Sequence, residues 1–180
     1  MKEAIILAGG LGTRLRSAVP HLPKCMAPVN GKPFLAYIVH FLQMSGIQKF
    51  IFSLGYKHEE VVQYFALHYP KLPAEFVIEN EPLYTGGAIK LCCQKATDEN
   101  VIIVNGDTLF CVHLRAFANL HFQKKAVCTL ALKPMKHFER YGSVTFSHEG
   151  RIESYKEKQW YEEGFINGGL YALNLPTFLK

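Results

Sequence analysis

Three closely spaced glycines followed by a threonine and an arginine are the first residues in the chain whose types are suited to chemistry. This segment, GGLGTR (residues 9–14), directly follows the apolar run AIILA. Glycine lets the backbone approach a phosphate closely and reach positive φ angles. The N–H groups exposed by such a loop form a cradle for anions. The pattern therefore predicts an anion site, suited to phosphate, at the end of the first strand.

The glycine segment differs from two well-known phosphate loops. The nucleotide P-loop requires Gly-x-x-x-x-Gly-Lys-Ser/Thr, which the chain lacks. The dinucleotide loop requires a third small residue where Leu15 stands. Cations lie nearby in sequence, at Arg14, Arg16 and Lys24, and a second polar turn, NGDT, contains Asp107. These residues favour a phosphate ligand but do not identify it.

The elements that must position these loops alternate along the chain. Apolar runs of strand length (4–8, 49–56, 74–80, 100–107 and 126–132) alternate with segments of helical period (34–46, 59–69, 86–96 and 114–124). Such alternation predicts an α/β fold, a Rossmann-like, mostly parallel sheet flanked by helices, in a single domain over residues 1–180. Ligands of such sheets bind beyond the carboxyl ends of the strands, where both polar loops fall. A hairpin over 142–158 and a strand interrupted by glycines over 165–173 are expected to follow.

Composition narrows the class of protein. The formal net charge of +5 is scattered, so it does not indicate a nucleic-acid partner but suits an anionic small molecule. The five cysteines have no Cys-x-x-Cys spacing, which is typical of reduced thiols in a cytoplasmic protein. No apolar run has the length of a membrane span. We therefore predict a cytoplasmic protein with neither a membrane nor a nucleic-acid partner, and a homo-oligomer is compatible with the sequence.

A longer set of motifs resembles the sugar-phosphate nucleotidyltransferases. LAGGLGTRL and PKCMAPVNGKP match the family's Gly-Gly-x-Gly-Thr-Arg-Leu loop and its Pro-Lys-Pro, with Cys25 in place of the second proline. Further matches follow in the same order: ENEPLYTGGAIK, VNGDT, RYGSV, YKEK and FINGGLY. The resemblance implies the family's nucleotide-diphospho-sugar transferase fold. It also implies an enzyme that joins a nucleoside triphosphate to a sugar 1-phosphate and releases pyrophosphate.

The resemblance also implies roles for individual residues. Those implied to be catalytic are Arg14, Lys24 and Asp107, with Asp107 as the ligand of Mg²⁺, the implied cofactor. Those implied to bind the nucleotide are Leu7, Gly9, Gly10, Gly12, Thr13, Arg14, Glu81 and Gly86. Those implied to bind the sugar phosphate are Gly142, Glu157, Lys158, Asn167 and Gly168. Tyr84 stands where glycine is frequent in the family.

Three short segments resemble one subgroup in particular. NGKPFL, GYKHE and TGGAIKL look like the heptose 1-phosphate guanylyltransferases, which implies GTP and D-glycero-D-manno-heptose 1-phosphate as substrates, for polysaccharide or lipopolysaccharide assembly. The alternatives are mannose 1-phosphate guanylyl transfer, another pair of triphosphate and sugar phosphate, and a non-catalytic nucleotide-sugar-binding subunit. The presence of Arg14, Lys24 and Asp107 together favours an enzyme.

The end of the sequence carries a separate expectation. Family members continue with an Asp-x-Gly-Thr-like segment whose aspartate is the second ligand of the metal. The aspartates here are Asp98 and Asp107, and Asp98 precedes its strand, at the end of the sheet opposite the site. The resemblance thus implies that the domain is truncated at its C-terminus and turns over more slowly than a full-length relative.

Overall fold

A six-stranded sheet organises the part of the chain that the computed structural model describes, residues 1–10, 12 and 21–180. In chain order the elements are β1 (Glu3–Ala8), a short 3₁₀ turn (Lys24–Met26), β2 (Pro28–Val29), β3 (Lys32–Pro33), α1 (Phe34–Met44), β4 (Lys49–Leu54), α2 (His58–His68), β5 (Ala74–Ile78), α3 (Tyr84–Cys93), β6 (Asn100–Asn105), α4 (Leu114–Gln123), β7 (Cys128–Phe138), β8 (Ser143–Phe146), β9 (Ile152–Lys156), β10 (Tyr161–Asn174) and α5 (Leu175–Phe178).

The order of the strands confirms the predicted mostly parallel sheet. The six strands lie side by side as β5-β4-β1-β6-β10-β7. The four strands from β5 to β6 are mutually parallel, while β10 runs antiparallel between β6 and β7. From β1 the chain builds outward through β4 to β5, and it then returns to place β6 on the other side of β1. This reversal of direction creates a switch point between β1 and β6, where sheets of this type bind ligands.

Helices cover both faces of the sheet because successive residues of its central strands point to opposite sides. Ala4 and Ile6 pack with α1 and α2 on one face, whereas Ile5 packs with α3 on the other. All three side chains are fully buried, which explains why β1 is a continuous apolar run without alternation. Among the described residues, no helix is long and apolar enough to cross a membrane.

The second half of the sheet differs in extent from the sequence-based expectation. The hairpin is confirmed as β8 and β9 joined through a turn at Gly150. The strand expected at 126–132 continues to Phe138 because β7 pairs with the first half of β10 as far as Tyr161. The glycines interrupt β10 as expected, and its pairing with β7 shifts register between Asn167 and Tyr171.

A buried histidine joins α4 to the two strands beneath it. His121 is 1% exposed, its Nε2–H donates to Asn100 Oδ1 at 3.1 Å, and its Nδ1 accepts from the Thr129 hydroxyl at 2.8 Å. Burial lowers the pKa of His121, so the folded state favours the neutral ring. Because the unfolded chain binds the proton more readily, the stability due to His121 is present above the unfolded-state pKa of about 6.5 and falls as pH drops through it.

We expect His121→Gln to weaken the pH dependence of stability while lowering stability itself. Urea unfolding of both proteins at about pH 7.5 and about pH 5 measures this, and the wild type should lose more stability on acidification than the variant. His148→Gln, in the exposed hairpin turn, controls for the loss of a histidine as such. Equal losses in the wild type and His121→Gln would contradict the prediction.

Candidate functional site

A cleft of about 670 Å³ opens at the switch point, beyond the carboxyl ends of β1 and β6. It draws on segments that are distant in sequence and meet only because β1, β5 and β6 end on the same edge of the sheet. The lining residues are Leu7, Ala8, Gly9, Gly10, Gly12, Lys24, Cys25, Glu79, Pro82, Tyr84, Thr85, Ala88, Asn105, Gly106 and Asp107. Six of the residues expected at the site from the sequence are among them: Leu7, Gly9, Gly10, Gly12, Lys24 and Asp107.

The backbone of the first loop lies so close to neighbouring side chains that it requires glycine. Gly12 has a φ of +56°, and a Cβ built on it would lie 2.7 Å from the Lys24 Cβ. A larger residue would therefore be strained in its backbone and would push Lys24 away from the loop. Thr13 and Arg14 lie outside the described residues, so their expected roles in phosphate binding and catalysis stay predictions.

Lys24 and Asp107 form an ion pair across the cleft. The Lys24 ammonium lies 2.5 Å from Asp107 Oδ2, and the two side chains are 37% and 39% exposed. Lys24 begins the short 3₁₀ turn, which is closed by a hydrogen bond from the Ala27 N–H to the Lys24 carbonyl and anchored by the buried Cys25 and Met26. The cation is thus held by a fixed backbone while its tip remains accessible to a ligand.

Glu79 contributes a carboxylate to the cleft that the sequence reasoning missed. Its Oε1 accepts from the hydroxyl of the fully buried Ser53 at 2.6 Å, and its Oε2 accepts from the Leu83 N–H at 3.3 Å. A Cβ on Gly9 would overlap Glu79 Oε1, so the absence of a side chain there admits the carboxylate. Its position after a strand could have indicated it, because Glu79 directly follows β5 just as Gly9 directly follows β1.

The cysteine in the cleft is not a nucleophile. Burial raises the pKa of Cys25 to about 12, and the neighbouring Asp107 carboxylate raises it further. The thiolate, which is the reactive form, is therefore scarce at neutral pH. Cys25 instead packs as a small apolar residue in the buried core, so cysteine in place of the family's usual proline adds no reactive group to the site.

The remaining predicted nucleotide residues lie outside the cleft lining. Glu81 and Gly86 are exposed, and a Cβ on Gly86 would meet open space. In the same segment the residues that face the cleft are Pro82, Tyr84, Thr85 and Ala88. The segment ENEPLYTGGAIK thus lines the cleft through these four residues and Glu79, and the expected nucleotide contacts of Glu81 and Gly86 stay predictions.

The five predicted sugar-phosphate residues also lie outside the cleft lining, in two groups. Glu157 and Lys158 are exposed beyond β9, and Gly142 packs against the Lys156 carbonyl. Asn167 and Gly168 lie on β10, where Asn167 Nδ2 donates to the Tyr171 hydroxyl at 2.7 Å and Asn167 Oδ1 accepts from the Gly169 N–H. The structure brings the Asn167 group next to the cleft, because a Cβ on Gly169 would contact the side chain of Asn105, which lines it.

The packing around Gly168 requires glycine at this position, independently of any contact with a ligand. A Cβ there would overlap the ring of Phe110, which lies in the segment following Asp107. We expect Gly168→Ala to lower stability by about 1–3 kcal/mol, the usual effect of overpacking a core, as measured by urea unfolding. Gly86→Ala is the matched control, expected to be neutral or stabilising by up to about 1 kcal/mol because alanine favours the helix. A Gly168→Ala variant as stable as the wild type would show that Phe110 gives way freely.

The carboxylate of Asp107 suits a divalent cation only if a bound ligand and water supply further oxygen atoms. In residues 1–10, 12 and 21–180, no three His, Cys, Asp or Glu side chains gather into a metal cluster. Asp107 nevertheless offers an accessible carboxylate beside a loop suited to phosphates. A hard cation such as Mg²⁺ needs only one or two carboxylates when phosphate oxygens and water supply its other ligands. The residues present therefore fit a cation that arrives with a phosphate ligand.

Comparison with known proteins agrees with this arrangement. The nucleotidyl transferase family model matches residues 3–180. The chain is 54% identical to the D-glycero-alpha-D-manno-heptose 1-phosphate guanylyltransferase of Aneurinibacillus thermoaerophilus over 98% of its own length and 76% of the relative's. It is 42% identical to the enzyme of the same name from Campylobacter jejuni, over 98% and 77%.

A solved structure gives the same result in three dimensions. The crystal structure of HddC from Yersinia pseudotuberculosis complexed with GMP-PN superposes with a TM-score of 0.88 at 35% sequence identity, covering 99% of this chain and 79% of that one. The match includes the strands that carry Gly9, Glu79 and Asp107 into the cleft. By sequence and by structure, the chain belongs to the nucleotidyl transferase family.

Proposed function

We propose that the protein transfers GMP from GTP to D-glycero-D-manno-heptose 1-phosphate and releases pyrophosphate, with residues 1–180 acting as one nucleotidyltransferase domain. The observation that carries the proposal is the meeting of a bare glycine loop, the Lys24 ammonium and the Asp107 carboxylate in one cleft. The choice of substrates is supported by the two relatives that bear this activity in their names and by the GMP-PN complex of HddC.

The reaction requires the protein to align the two substrates and to neutralise the negative charge of their phosphates. An oxygen of the sugar phosphate attacks the α-phosphorus of GTP and forms a new P–O bond. The bond from the α-phosphorus to the oxygen bridging it to the β-phosphorus breaks, and pyrophosphate leaves with the electron pair. Backbone N–H groups of Gly9, Gly10 and Gly12 would hold the triphosphate, and Lys24 would stabilise the negative charge that develops at the α-phosphate.

Asp107 would be the protein's ligand to Mg²⁺. Mg²⁺, when bound, neutralises charge on the phosphate oxygens. Asp107 Oδ2 accepts from the Lys24 ammonium and Oδ1 accepts from the Thr108 hydroxyl at 3.1 Å. Because a cation on Asp107 would repel the Lys24 ammonium, we expect Lys24 to turn from the carboxylate to the phosphates when substrate binds. The ion pair thus keeps both groups together in the cleft.

Glu79 supports guanine as the base. A carboxylate accepts hydrogen bonds at each oxygen in more than one direction, and guanine presents two adjacent donors, N1–H and N2–H₂. Ser53 and Leu83 each use one acceptor site of Glu79 and fix its orientation. Uracil and thymine present only one such donor, so this carboxylate would discriminate against them.

The sugar side of the site rests on residues that stay predictions. Gly169, which follows Asn167 and Gly168 on β10, lies against Asn105 of the cleft lining, which supports a sugar position between β10 and the turn of Asp107. Gly142, Glu157 and Lys158 lie on the neighbouring hairpin and would have to approach when the sugar phosphate binds. We place the reaction in the cytoplasm, since nucleoside triphosphates are found there and all five cysteines are free thiols.

The decisive experiment is a matrix of substrates read by pyrophosphate release. GTP, ATP, CTP, UTP and dTTP are each combined with D-glycero-D-manno-heptose 1-phosphate, mannose 1-phosphate and glucose 1-phosphate in the presence of Mg²⁺. The proposal expects the highest kcat/KM for GTP with the heptose phosphate. A preference for mannose 1-phosphate would reassign the sugar, and a preference for UTP or dTTP would refute guanylyl transfer.

A further inference from the structure

Tyr84 combines a left-handed backbone conformation with high exposure at the cleft. It has a φ of +55°, a left-handed conformation that is uncommon and unfavourable for a bulky side chain. Its side chain is 87% exposed even though the residue lines the cleft. Strained residues of this kind are concentrated at ligand sites, where the surrounding structure maintains them for function. Burial of the ring in the core therefore does not explain the conformation.

The surroundings of Tyr84 leave room for a flat partner. Within the described part of the chain, its ring takes part in no ring stack and its hydroxyl in no hydrogen bond. The cleft residues nearest to it in sequence, Pro82, Thr85 and Ala88, are small and uncharged. Among the charged residues of the lining, Lys24 and Asp107 form the ion pair beside Gly12, whereas Glu79 accepts a hydrogen bond from the Leu83 N–H, directly before Tyr84.

We propose that Tyr84 is a nucleotide-binding residue whose ring stacks on the base of the bound triphosphate. The inference rests on the proposed function, since it requires the phosphates to lie at the glycine loop, which leaves the base to the wall that holds Glu79 and Tyr84. An aromatic ring next to a planar base gains stacking energy that bare backbone at this position would not supply. The left-handed conformation is then the means by which the ring is presented to the cleft at the start of α3.

Three substitutions separate the ring from the backbone. Tyr84→Phe keeps the ring, Tyr84→Asn removes it but tolerates the left-handed conformation, and Tyr84→Gly removes both the ring and the strain. Calorimetry measures the Kd of each protein for GTP and for inorganic tripolyphosphate, which has no base. We expect Phe to bind GTP within about twofold of the wild type, and Asn and Gly to bind it about tenfold more weakly. Tripolyphosphate should bind equally to all four proteins.

Two outcomes would overturn the inference. One is wild-type affinity of Tyr84→Asn or Tyr84→Gly for GTP. The other is a parallel loss of affinity for tripolyphosphate, which would mean that the loop and not the base had been disturbed. Failure of the proposed function is distinguishable, because it would appear in the substrate matrix of the wild type as a preference for another triphosphate. The same four proteins, titrated with that triphosphate, would still test the role of Tyr84.

Discussion

Lys24→Ala is expected to lower the rate of pyrophosphate release by about 10²–10³-fold while weakening GTP binding far less. The ammonium lies 2.5 Å from Asp107 Oδ2, and the 3₁₀ turn fixes the backbone that carries it. A preorganised charge of this kind stabilises the transition state by about 2–4 kcal/mol. Single-turnover kinetics and calorimetry on the same variant measure the two effects separately.

The controls for Lys24 use a second variant and a second lysine. Lys24→Met retains the aliphatic stem and should lose as much activity as Lys24→Ala if the charge is responsible. Lys32→Ala removes an exposed lysine from β3, outside the cleft lining, and should leave the rate unchanged. If the protein were a nucleotide-sugar sensor, Lys24→Ala would weaken nucleotide affinity and the wild type would show no turnover. Near-normal turnover by Lys24→Ala would show that Lys24 is not part of the mechanism.

Asp107→Asn is expected to reduce turnover by about 10²-fold or more at moderate Mg²⁺. The substitution retains the size of the side chain but removes the charge that would hold the cation, and it also breaks the ion pair with Lys24. Because Mg²⁺ would then be bound through phosphates and water alone, we expect the Mg²⁺ concentration needed for half-maximal rate to rise. A magnesium titration of the variant measures both changes.

The other aspartate provides the matched control. Asp98 accepts a hydrogen bond from the Lys2 N–H at 2.7 Å, just before β1 begins and so at the opposite end of the strand from the cleft. Asp98→Asn should therefore retain the wild-type rate and the wild-type dependence on Mg²⁺. Near-normal turnover by Asp107→Asn would rule out the metal role of Asp107.

The sequence alone was sufficient for the fold class and for choosing Lys24 and Asp107, which the structure joins in an ion pair. Alternating strand and helix patterns depend on residues a few positions apart, so the parallel β1, β4, β5 and β6 could be predicted from local periodicity. Glycines after β1 and an aspartate after β6 could be placed at one edge, because the carboxyl ends of parallel strands meet there. Lys24 was added by resemblance to the family motif.

The contacts of the site were decided by the tertiary structure. Lys24 and Asp107 are 83 positions apart in the chain. Glu79 is held in the cleft by hydrogen bonds from buried Ser53, on the neighbouring strand, and from the Leu83 N–H. Glu81, chosen from the motif, turns to solvent, since the direction of each side chain in an irregular segment depends on what packs behind it. The clash that excludes a side chain at Gly168 likewise arises between elements, since Phe110 lies in another segment. Local sequence patterns report the periodicity of single elements, whereas distances across a cleft depend on how the elements pack together.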